Sequence, residues 1–440
     1  MREMKDSGIA WFGAIPKNWH VSKLKYVNHF FNGDRGKNYP SGNDLVDEGI
    51  IFLTSNNLHN DILDTSYENS KYITDERYKI LGGAKLQIDD IVFCLRGSVG
   101  NCSINKTETC GTVASSLMTI RPHNINPDFL NYMLHSDVAN SQTRLFVNGS
   151  CAENLSADNV ANYLFVEPPL LEQQQIATYL NSKCSNINAI IFDIQRQIEV
   201  LQEYKQSVIT EAVTKGLDKN VAMKDSGIEW IGSIPSTWNI HRLKYIVKSP
   251  LQYGANESGL DYDDELPRYV RITDIDNNGN LKDTDKQSLN MNIAKPYLLE
   301  DNDILLARSG ATVGKAFLYH KNDGPCAFAG YLIRAKCKTK LLSKLAYYYT
   351  MSNCYNAWKN SIFSQATIPN IGADKYSNLI IPISTNTAEQ KTIIDYLDAK
   401  CADIDTILAD KQKQLDTLTE YKKSLIYEYV TGKKEVPADA

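Results

Sequence analysis

Two short motifs contain residue types that could act on a nucleotide, and each departs from the pattern that this chemistry needs. The run GATVGK from Gly310 resembles a phosphate-binding loop, but three residues precede its Gly-Lys pair where four are needed. Ala316 also occupies the place of the Ser or Thr that would hold magnesium. The run EPPL from Glu167 resembles the adenine pocket of amino-methyltransferases, yet it lacks both the amide or Asp and the aromatic residue. Neither motif predicts nucleotide chemistry in this chain.

Two Glu-x-Lys pairs have the spacing of nuclease carboxylate sites: Glu203 with Lys205, and Glu420 with Lys422. Both fall in the middle of predicted helices without an Asp on a preceding strand, so a solvated helix face is the better interpretation. The nine cysteines include no C-x-x-C pair and no cluster with His, which argues against a zinc module and against a disulfide framework. The sequence therefore predicts neither a catalytic residue nor a metal ligand.

The most reproducible polar feature is a predicted strand that ends in Arg and a Gly-bearing turn. It reads DIVFCLRGSVG from Asp90 and DILLARSGATVG from Asp303. Because Arg96 and Arg308 both follow the apolar run, we expect them to lie at the same structural point. These are the donors that the rest of the chain must position.

The chain that carries these turns repeats itself. The segment MKDSGIAWFGAIPKNWHVSKLKYV from Met4 returns 219 positions later from Met223, and EQQQIATYLNSKCSNINAI from Glu172 returns 217 positions later from Glu389. The intervening segments, 28–166 and 247–380, match each other poorly. Two constant frames with two variable inserts are expected when one scaffold presents two different readers.

The repeat predicts six segments in the 440 residues. They are a repeated N-terminal segment (1–27), a first globular insert (28–166), a central long helix (167–222), the second copy of the repeated segment (223–246), a second globular insert (247–380) and a C-terminal long helix (381–440).

The two long segments that begin near Glu172 and Glu389 show a helical heptad seam. Pro168 and Pro169 precede the first helix, and Thr387 with Gln390 can form a capping box at the second. Packing the two helices together as an antiparallel coiled coil would bury both seams, and the alternative is that each packs only on its own insert. The seam residues are Ile187, Ile191, Ile194, Ile198, Leu201, Val208 and Ala212, and then Ile404, Leu408, Leu415, Leu418, Leu425 and Tyr429.

A W-x-G-x-I-P-x-x-W pattern opens each half, at Trp11 to Trp19 and at Trp230 to Trp238. One interpretation is packing onto the helix pair, and the other is contact with a partner subunit, since exposed aromatics suit interface anchors. Because the second copy follows the first helix directly, we expect the first copy to lie beside the end of the second helix. The chain termini should then be close in space.

Both inserts alternate short β-like runs with helical patches, which predicts an α+β class. A hydrophobic fraction of 42%, no N-terminal apolar run and no membrane-length apolar stretch predict a cytoplasmic protein. The net charge is −5, and residues 28–166 carry −6 whereas residues 247–380 carry +2. Any nucleic acid would therefore have to meet local basic patches or a partner subunit, because phosphate neutralisation dominates its binding.

The strand-turn of the DIL-x-x-R-x-G type, the PPLLEQQ run that leads into a long helix, and W-x-G-x-I-P-x-x-W at the start of each half resemble the DNA specificity subunit of type I restriction-modification systems. The resemblance covers essentially the whole chain. The second helix start, PISTNTAEQ from Pro382, is longer by four residues than the usual form. The implied fold has two target-recognition domains joined by two long antiparallel helices that form a coiled coil with a pseudo-twofold repeat.

The resemblance implies a non-catalytic chain that reads double-stranded DNA. Each insert would read one half of a bipartite target, and the helices would space the halves and dock two modification subunits. Those partners would methylate adenine with S-adenosylmethionine, and a restriction subunit of the nuclease form would use ATP and magnesium. No cofactor is expected on this chain itself. The rivals are a two-headed protein scaffold without DNA readout and a fused methyltransferase or nuclease.

Donor-rich loops at strand ends are the candidate DNA contacts, since Arg and Lys can read guanine, Asn can read adenine and Asp can accept from cytosine. A turn residue that bonds local backbone or a phosphate is the alternative interpretation for each. The candidates are Asn56, Asn57, His59, Arg96, Ser98 and Asn101 in the first insert and Arg271, Thr273, Asp274, Arg308, Thr312 and Lys315 in the second.

Overall fold

The computed structural model describes residues 2–58, 61–65, 70–147, 154–276, 279–310, 312–363 and 370–437. It divides into two compact units, of which the first comprises Met1–Gln195 and Lys413–Ala440 and the second comprises Arg196–Gln412. The first long helix spans Leu170–Lys215 and the second spans Thr387–Val430. Each unit thus contains one copy of the repeated segment, one insert and a part of each long helix.

The insert of the first unit folds into two four-stranded sheets. One sheet has the order Gly111–Val113, Ile50–Leu53, Lys71–Ile73, Leu45–Val46, with its first two strands parallel. The other is antiparallel, with the order Asn28–Asn32, Leu117–Pro122, Ile91–Cys94, Cys102–Ile104. Its helices are Asp75–Ile80, Pro127–His135, Asp137–Phe146 and Ala157–Ala161.

The insert of the second unit repeats this topology strand for strand. The order Cys326–Phe328, Arg268–Val270, Gln287–Ser288, Leu260–Asp261 again begins with a parallel pair. The antiparallel sheet has the order Gln252–Tyr253, Leu332–Ala335, Ile304–Ala307, Ala316–Leu318. Its helices are Met291–Ala294, Lys340–Tyr349, Asn353–Phe363 and Ala373–Ser377, and the short helix Leu243–Ile246 ends the repeated segment before it.

The apolar pattern explains why two poorly matching inserts adopt one topology. Ile91–Cys94 and Ile304–Ala307 are buried at every position, as a strand covered on both faces requires. The repeated segments form hairpins, Met4–Asp6 with Ala14–Pro16 and Met223–Asp225 with Ser233–Pro235. Two further strands, His20–Lys23 and Trp238–Arg242, pair with Leu164–Glu167 and Ile380–Ser384, which lead into the long helices. The predicted α+β class and the internal repeat are confirmed.

The long helices run antiparallel to each other within each unit. In the first unit, the ring centres of Tyr179 and Tyr429 lie 4.8 Å apart, with the rings tilted by 40°, near the end of the second helix. In the second unit, Lys205 Nζ lies 2.6 Å from Asp405 Oδ1, and Gly216 lies against Glu389. All thirteen predicted seam residues are buried or half-buried, which confirms the heptad seam of an antiparallel coiled coil.

An ionic cluster fastens the first insert to the second long helix. Asp61 Oδ2 lies 2.9 Å from Lys422 Nζ, and Asp61 Oδ1 lies 3.6 Å from His135 Nε2. The other ring nitrogen of His135 lies 2.8 Å from the carbonyl oxygen of Asn131. Burial opposes the charge on the imidazole, but its contacts with Cys102 and Asp61 raise the pKa of His135 to about 9. The insert is therefore held on the helix by charge as well as by packing.

The repeated tryptophans mark where the frames meet the long helices. Trp19 and Trp238 are 0% and 1% exposed, and their Nε1 atoms donate to Glu172 at 2.8 Å and to Glu389 at 3.1 Å. These two indoles therefore pack inside the chain, whereas Trp11 and Trp230 are half-buried. The partner contact stays a prediction.

The two ends of the chain meet in the first unit. Arg2 Nε lies 3.8 Å from Glu435 Oε1, and Lys433 Nζ donates to the carbonyl oxygens of Phe12 and Ala14. This confirms the prediction that the first repeated segment lies beside the end of the second long helix.

Candidate nucleic-acid interface

Each insert ends its central buried strand in a turn that only glycine can make without strain. Gly97 and Gly310 have φ values of 85° and 81°, which place them in the left-handed region. The turn closes when the N–H of Gly100 donates to Cys94 O at 3.0 Å, and the N–H of Gly314 donates to Ala307 O at the same distance. The turn of the second insert is one residue longer.

The two turn arginines do not occupy the same structural point, so that expectation was wrong. The backbone N–H of Leu95 donates to Ser116 O, and the matching bond in the second unit comes from Arg308 to Tyr331 O. Arg308 is therefore equivalent to Leu95, and Arg96 comes one residue later. Because successive side chains of an extended segment point to opposite faces, the two guanidiniums leave their strands on different sides.

Arg96 is the exposed donor of the first turn. Its Nε donates to Asn154 Oδ1 at 3.1 Å, which leaves the other guanidinium nitrogens without a partner among the described residues. Ser98 and Asn101 of the same turn are also exposed. Arg96 lines a cleft of about 660 Å³, together with Asp34 and Arg35. Polar donors and acceptors on an open strand end suit the edges of nucleic-acid bases.

Arg308 is held more tightly than Arg96. Its guanidinium lies 5.0 Å from the centre of the Tyr253 ring, a cation–π contact, and the Tyr253 hydroxyl accepts a hydrogen bond from Ala373 N at 2.9 Å. The Nε of Arg308 is buried and has no hydrogen-bond partner within the described residues. Thr312 and Lys315 of the same turn are half-buried.

A second pair of strand ends carries equivalent one-turn 3₁₀ helices, Ser55–Asn57 and Ile272–Asp274. Their last residues, Asn57 and Asp274, are 0% and 3% exposed. Asn57 Oδ1 accepts from Thr54 N at 3.0 Å, and Asp274 Oδ2 accepts from Arg271 N at 2.8 Å. The buried side chains of these two candidates therefore close their own turns.

The other candidates in these two turns are more accessible than the buried capping residues. Asn56 and Thr273, which occupy equivalent positions in the turns, are exposed. Arg271 is half-buried, and its hydrogen bonds to the Asp274 carboxylate hold the pKa of the guanidinium above its usual range. His59 lies outside the described residues. The T-x-x-N and R-x-x-D spacings were the signal that could have identified the capping roles.

Residues 16–200 and 235–417 both match one family, described as the type I restriction modification DNA specificity domain. The chain belongs to this family. The two matched ranges contain both inserts and most of both long helices, in agreement with the internal repeat.

Relatives of similar length carry the family name. The MjaVIII specificity subunit of Methanocaldococcus jannaschii is 24% identical, and the match covers 96% of this chain and 94% of that protein. The StySPI specificity subunit of Salmonella potsdam is 20% identical over 96% of this chain and 90% of that protein. One similar solved structure comes from work on complex assembly and conformational transition of the type I R-M system. It has a TM-score of 0.63 at 15% identity, and the match covers 96% of this chain and 99% of that chain.

The family settles the class of protein. This chain is a DNA-binding type I specificity subunit and not a catalytic subunit, and the scaffold without DNA readout is not favoured. Within the described residues, no group of His, Cys, Asp and Glu is arranged to hold a metal ion. None of the helices in the same part of the chain has the length and hydropathy that crossing a bilayer requires.

Proposed function

We propose that each unit of this specificity subunit reads one half of a bipartite double-stranded DNA target. The observation that carries the proposal is one sheet topology built twice from poorly matching sequences, with different polar turns at equivalent strand ends. The buried strands are arranged in the same way in both inserts, and the polar residues of the turns differ between them. Two different half-sites require different base-contacting turns, and these can be presented by the same arrangement of strands.

The domain assignment follows the repeat. Residues 28–166 form the first target-recognition domain and residues 247–380 form the second, and the helical segments 167–222 and 381–440 hold them at a set spacing. The repeated segments 1–27 and 223–246 join each domain to the helices, as the bonds from Trp19 to Glu172 and from Trp238 to Glu389 support.

The exposed and half-buried turn donors are the residues that contact bases. In the first domain they are Asn56, Arg96, Ser98 and Asn101, and in the second they are Arg271, Thr273, Arg308, Thr312 and Lys315. Arg308 is the strongest base-reading candidate, because the Tyr253 ring already restricts its guanidinium and less freedom is lost on binding.

The partners follow from the family and act outside this chain. Two modification subunits dock on the helical frame and methylate adenine with S-adenosylmethionine, and a restriction subunit adds ATP-driven and magnesium-dependent cleavage in the nuclease form. The subunit works in the cytoplasm, where the target DNA lies.

The proposal is tested by exchanging one insert at a time. We would reconstitute the chain with its modification subunit, replace residues 247–380 by the corresponding insert of the StySPI relative, and map the methylated adenines in genomic DNA. One half of the target should change while the other half and the gap persist. The matched control replaces residues 28–166 and should change the opposite half. A chimera that alters both halves together would overturn the division of labour.

A point variant tests the leading residue. Arg308→Ala should relax recognition at one position of the second half-site, with a loss of about 1–3 kcal/mol in discrimination for one bidentate contact. Arg96→Ala is the control and should affect only the first half-site. Methylation specificity that Arg308→Ala leaves unchanged, in a folded complex, would reject the assignment.

A further inference from the structure

The chain is acidic overall, and the base-reading turns do not explain how it attracts the DNA backbone. Because the net charge of the chain is −5, attraction to DNA phosphates must come from a few basic side chains near the bound DNA. A cation that already forms an ion pair is less available to a phosphate. The relevant residues are therefore basic side chains close to the turns that have no acidic partner.

In each unit a cavity borders the Gly-bearing turn and the helix that packs against it, and in the second unit both long helices line the cavity as well. In the first unit the cavity is about 320 Å³ and is lined by Val99, Asn140, Thr143, Arg144 and Val147. In the second unit the cavity is about 730 Å³, and its lining includes Gly314, Lys315, Asn356 and Lys359.

The backbone establishes that these are the same place in the two units. A Cβ atom built on Gly100 would lie 3.3 Å from Thr143, and one built on Gly314 would lie 2.4 Å from Lys359. Thr143 and Lys359 therefore occupy equivalent positions on the helices Asp137–Phe146 and Asn353–Phe363. One turn earlier, both helices carry an Asn, Asn140 and Asn356.

Each cavity contains one unpaired cation. Within the described residues, neither Arg144 nor Lys359 forms an ion pair or a hydrogen bond through its side chain. Arg144 is exposed, whereas Lys359 is half-buried with its stem across Gly314. Four carboxylates, Glu199, Glu203, Asp276 and Asp405, also line the larger cavity. None of them forms an ion pair with Lys359 among the described residues, and Asp405 is paired with Lys205 at 2.6 Å. Burial without a compensating charge lowers the pKa of Lys359.

A half-buried cation that forms no ion pair is costly for the free protein, and an anion bound directly to it would offset that cost. DNA supplies the anion if the neighbouring turn reads bases, because phosphates flank a major groove that is only about 12 Å wide. We infer that Arg144 and Lys359 are DNA-phosphate contacts, one in each unit, that set the register of the adjacent base-reading turn. This inference rests on the proposed function. Phosphate contacts position a protein on DNA without carrying sequence information, and this distinguishes their role from that of Arg308.

The test measures salt dependence, which a purely structural role would not change. The full complex with its modification subunit would carry Lys359→Gln, Arg144→Gln or both, and its affinity for a specific and a non-specific duplex would be measured between 50 and 200 mM salt. Each substitution should reduce the slope of log K against log salt by about 0.9, so that the loss of affinity over this range becomes about 3.5-fold smaller. The weakening should be equal on both duplexes, and the methylated sequence should not change.

The control is Lys338→Gln. Lys338 is a lysine of the second unit that likewise has no side-chain partner among the described residues, but it is exposed and does not line the cavity. It should leave the slope unchanged, and Lys359→Arg should keep the wild-type slope. An unchanged slope for Lys359→Gln in a complex that still binds its target would overturn the inference alone. A changed methylation sequence would overturn it as well, since that result means base reading. A wild-type complex that binds no DNA would reject the proposed function instead.

Discussion

Two equivalent tryptophans should differ in what they contribute to stability, because the glutamates that accept their hydrogen bonds have different remaining partners. Glu172 accepts from Trp19 at 2.8 Å and also from Arg2 at 2.9 Å. Glu389 accepts from Trp238 at 3.1 Å, and its other oxygen accepts from the Ser384 hydroxyl. Replacing either Trp by Phe removes the indole N–H and keeps an aromatic ring in the site.

The expected magnitude follows from the charge that is left behind. A hydrogen bond to a charged group contributes about 1.5–3 kcal/mol, and a partly buried carboxylate that loses a donor also loses part of its solvation. In the first unit the Arg2 guanidinium still neutralises Glu172, whereas in the second unit only a neutral hydroxyl remains on Glu389. We therefore expect Trp238→Phe to destabilise its unit by about 1 kcal/mol more than Trp19→Phe destabilises the other.

The assay must resolve the two units, since one free energy of unfolding is not defined for a chain whose units unfold separately. Hydrogen exchange followed by mass spectrometry gives the opening free energy of peptides in each unit. Trp11→Phe is the control, because the Trp11 indole N–H has no hydrogen-bond partner within the described residues, and its removal should cost little. Equal losses for Trp19→Phe and Trp238→Phe, or a larger loss for Trp19→Phe, would refute the reasoning.

Three further predictions concern the stability of the two units. Asp274→Ala removes a buried turn cap and should lower the opening free energy of second-unit peptides by about 1–2 kcal/mol, measured by hydrogen exchange. An altered target in a fully stable variant would contradict the capping role. Asp61→Asn should lower the pKa of His135 from about 9, read from imidazole NMR shifts. Because that pKa is raised from 6.5, its stabilisation is complete below pH 6.5 and should fade in the wild type as the pH rises through about 9. Gly432→Ala should destabilise the first unit, because Gly432 has a φ of 71° and a Cβ there would lie 2.5 Å from Pro16. Unchanged hydrogen exchange of first-unit peptides would contradict this prediction.

The sequence predicted the frame well because its signals are local and occur twice. The heptad seam needed only the spacing of apolar residues, and the meeting of the termini followed from the order of the repeated segments. Cys184 and Cys401 occupy equivalent positions of the repeat, and both are buried, at 2% and 7% exposure. Agreement between two copies made each of these patterns more specific than either copy alone.

The start of the second long helix shows where local signals compete. The capping box of Thr387 with Gln390 does not form. Instead Asn386 Oδ1 accepts from Ala388 N at 2.9 Å, and Gln390 Nε2 donates back to Ser384 O at 2.8 Å. Gln173 makes the same backward bond to Pro168 O at the first helix. The Gln is used to join the helix to the preceding strand, and a pairwise contact of this kind has no periodic signature in the sequence.

The turn arginines explain why the reading residues are harder to predict than the frame. Arg96 and Arg308 look equivalent because each follows an apolar run and precedes a glycine, yet the backbone bonds of Leu95 and Arg308 show that they are one residue apart. In an extended segment this shift moves a side chain to the opposite face. A turn can therefore present its donors to a different part of the DNA through a one-residue change, while the buried strands beneath it keep their register. Specificity can then diverge without loss of stability, and for the same reason the contacts of one insert cannot be carried over to the other by alignment.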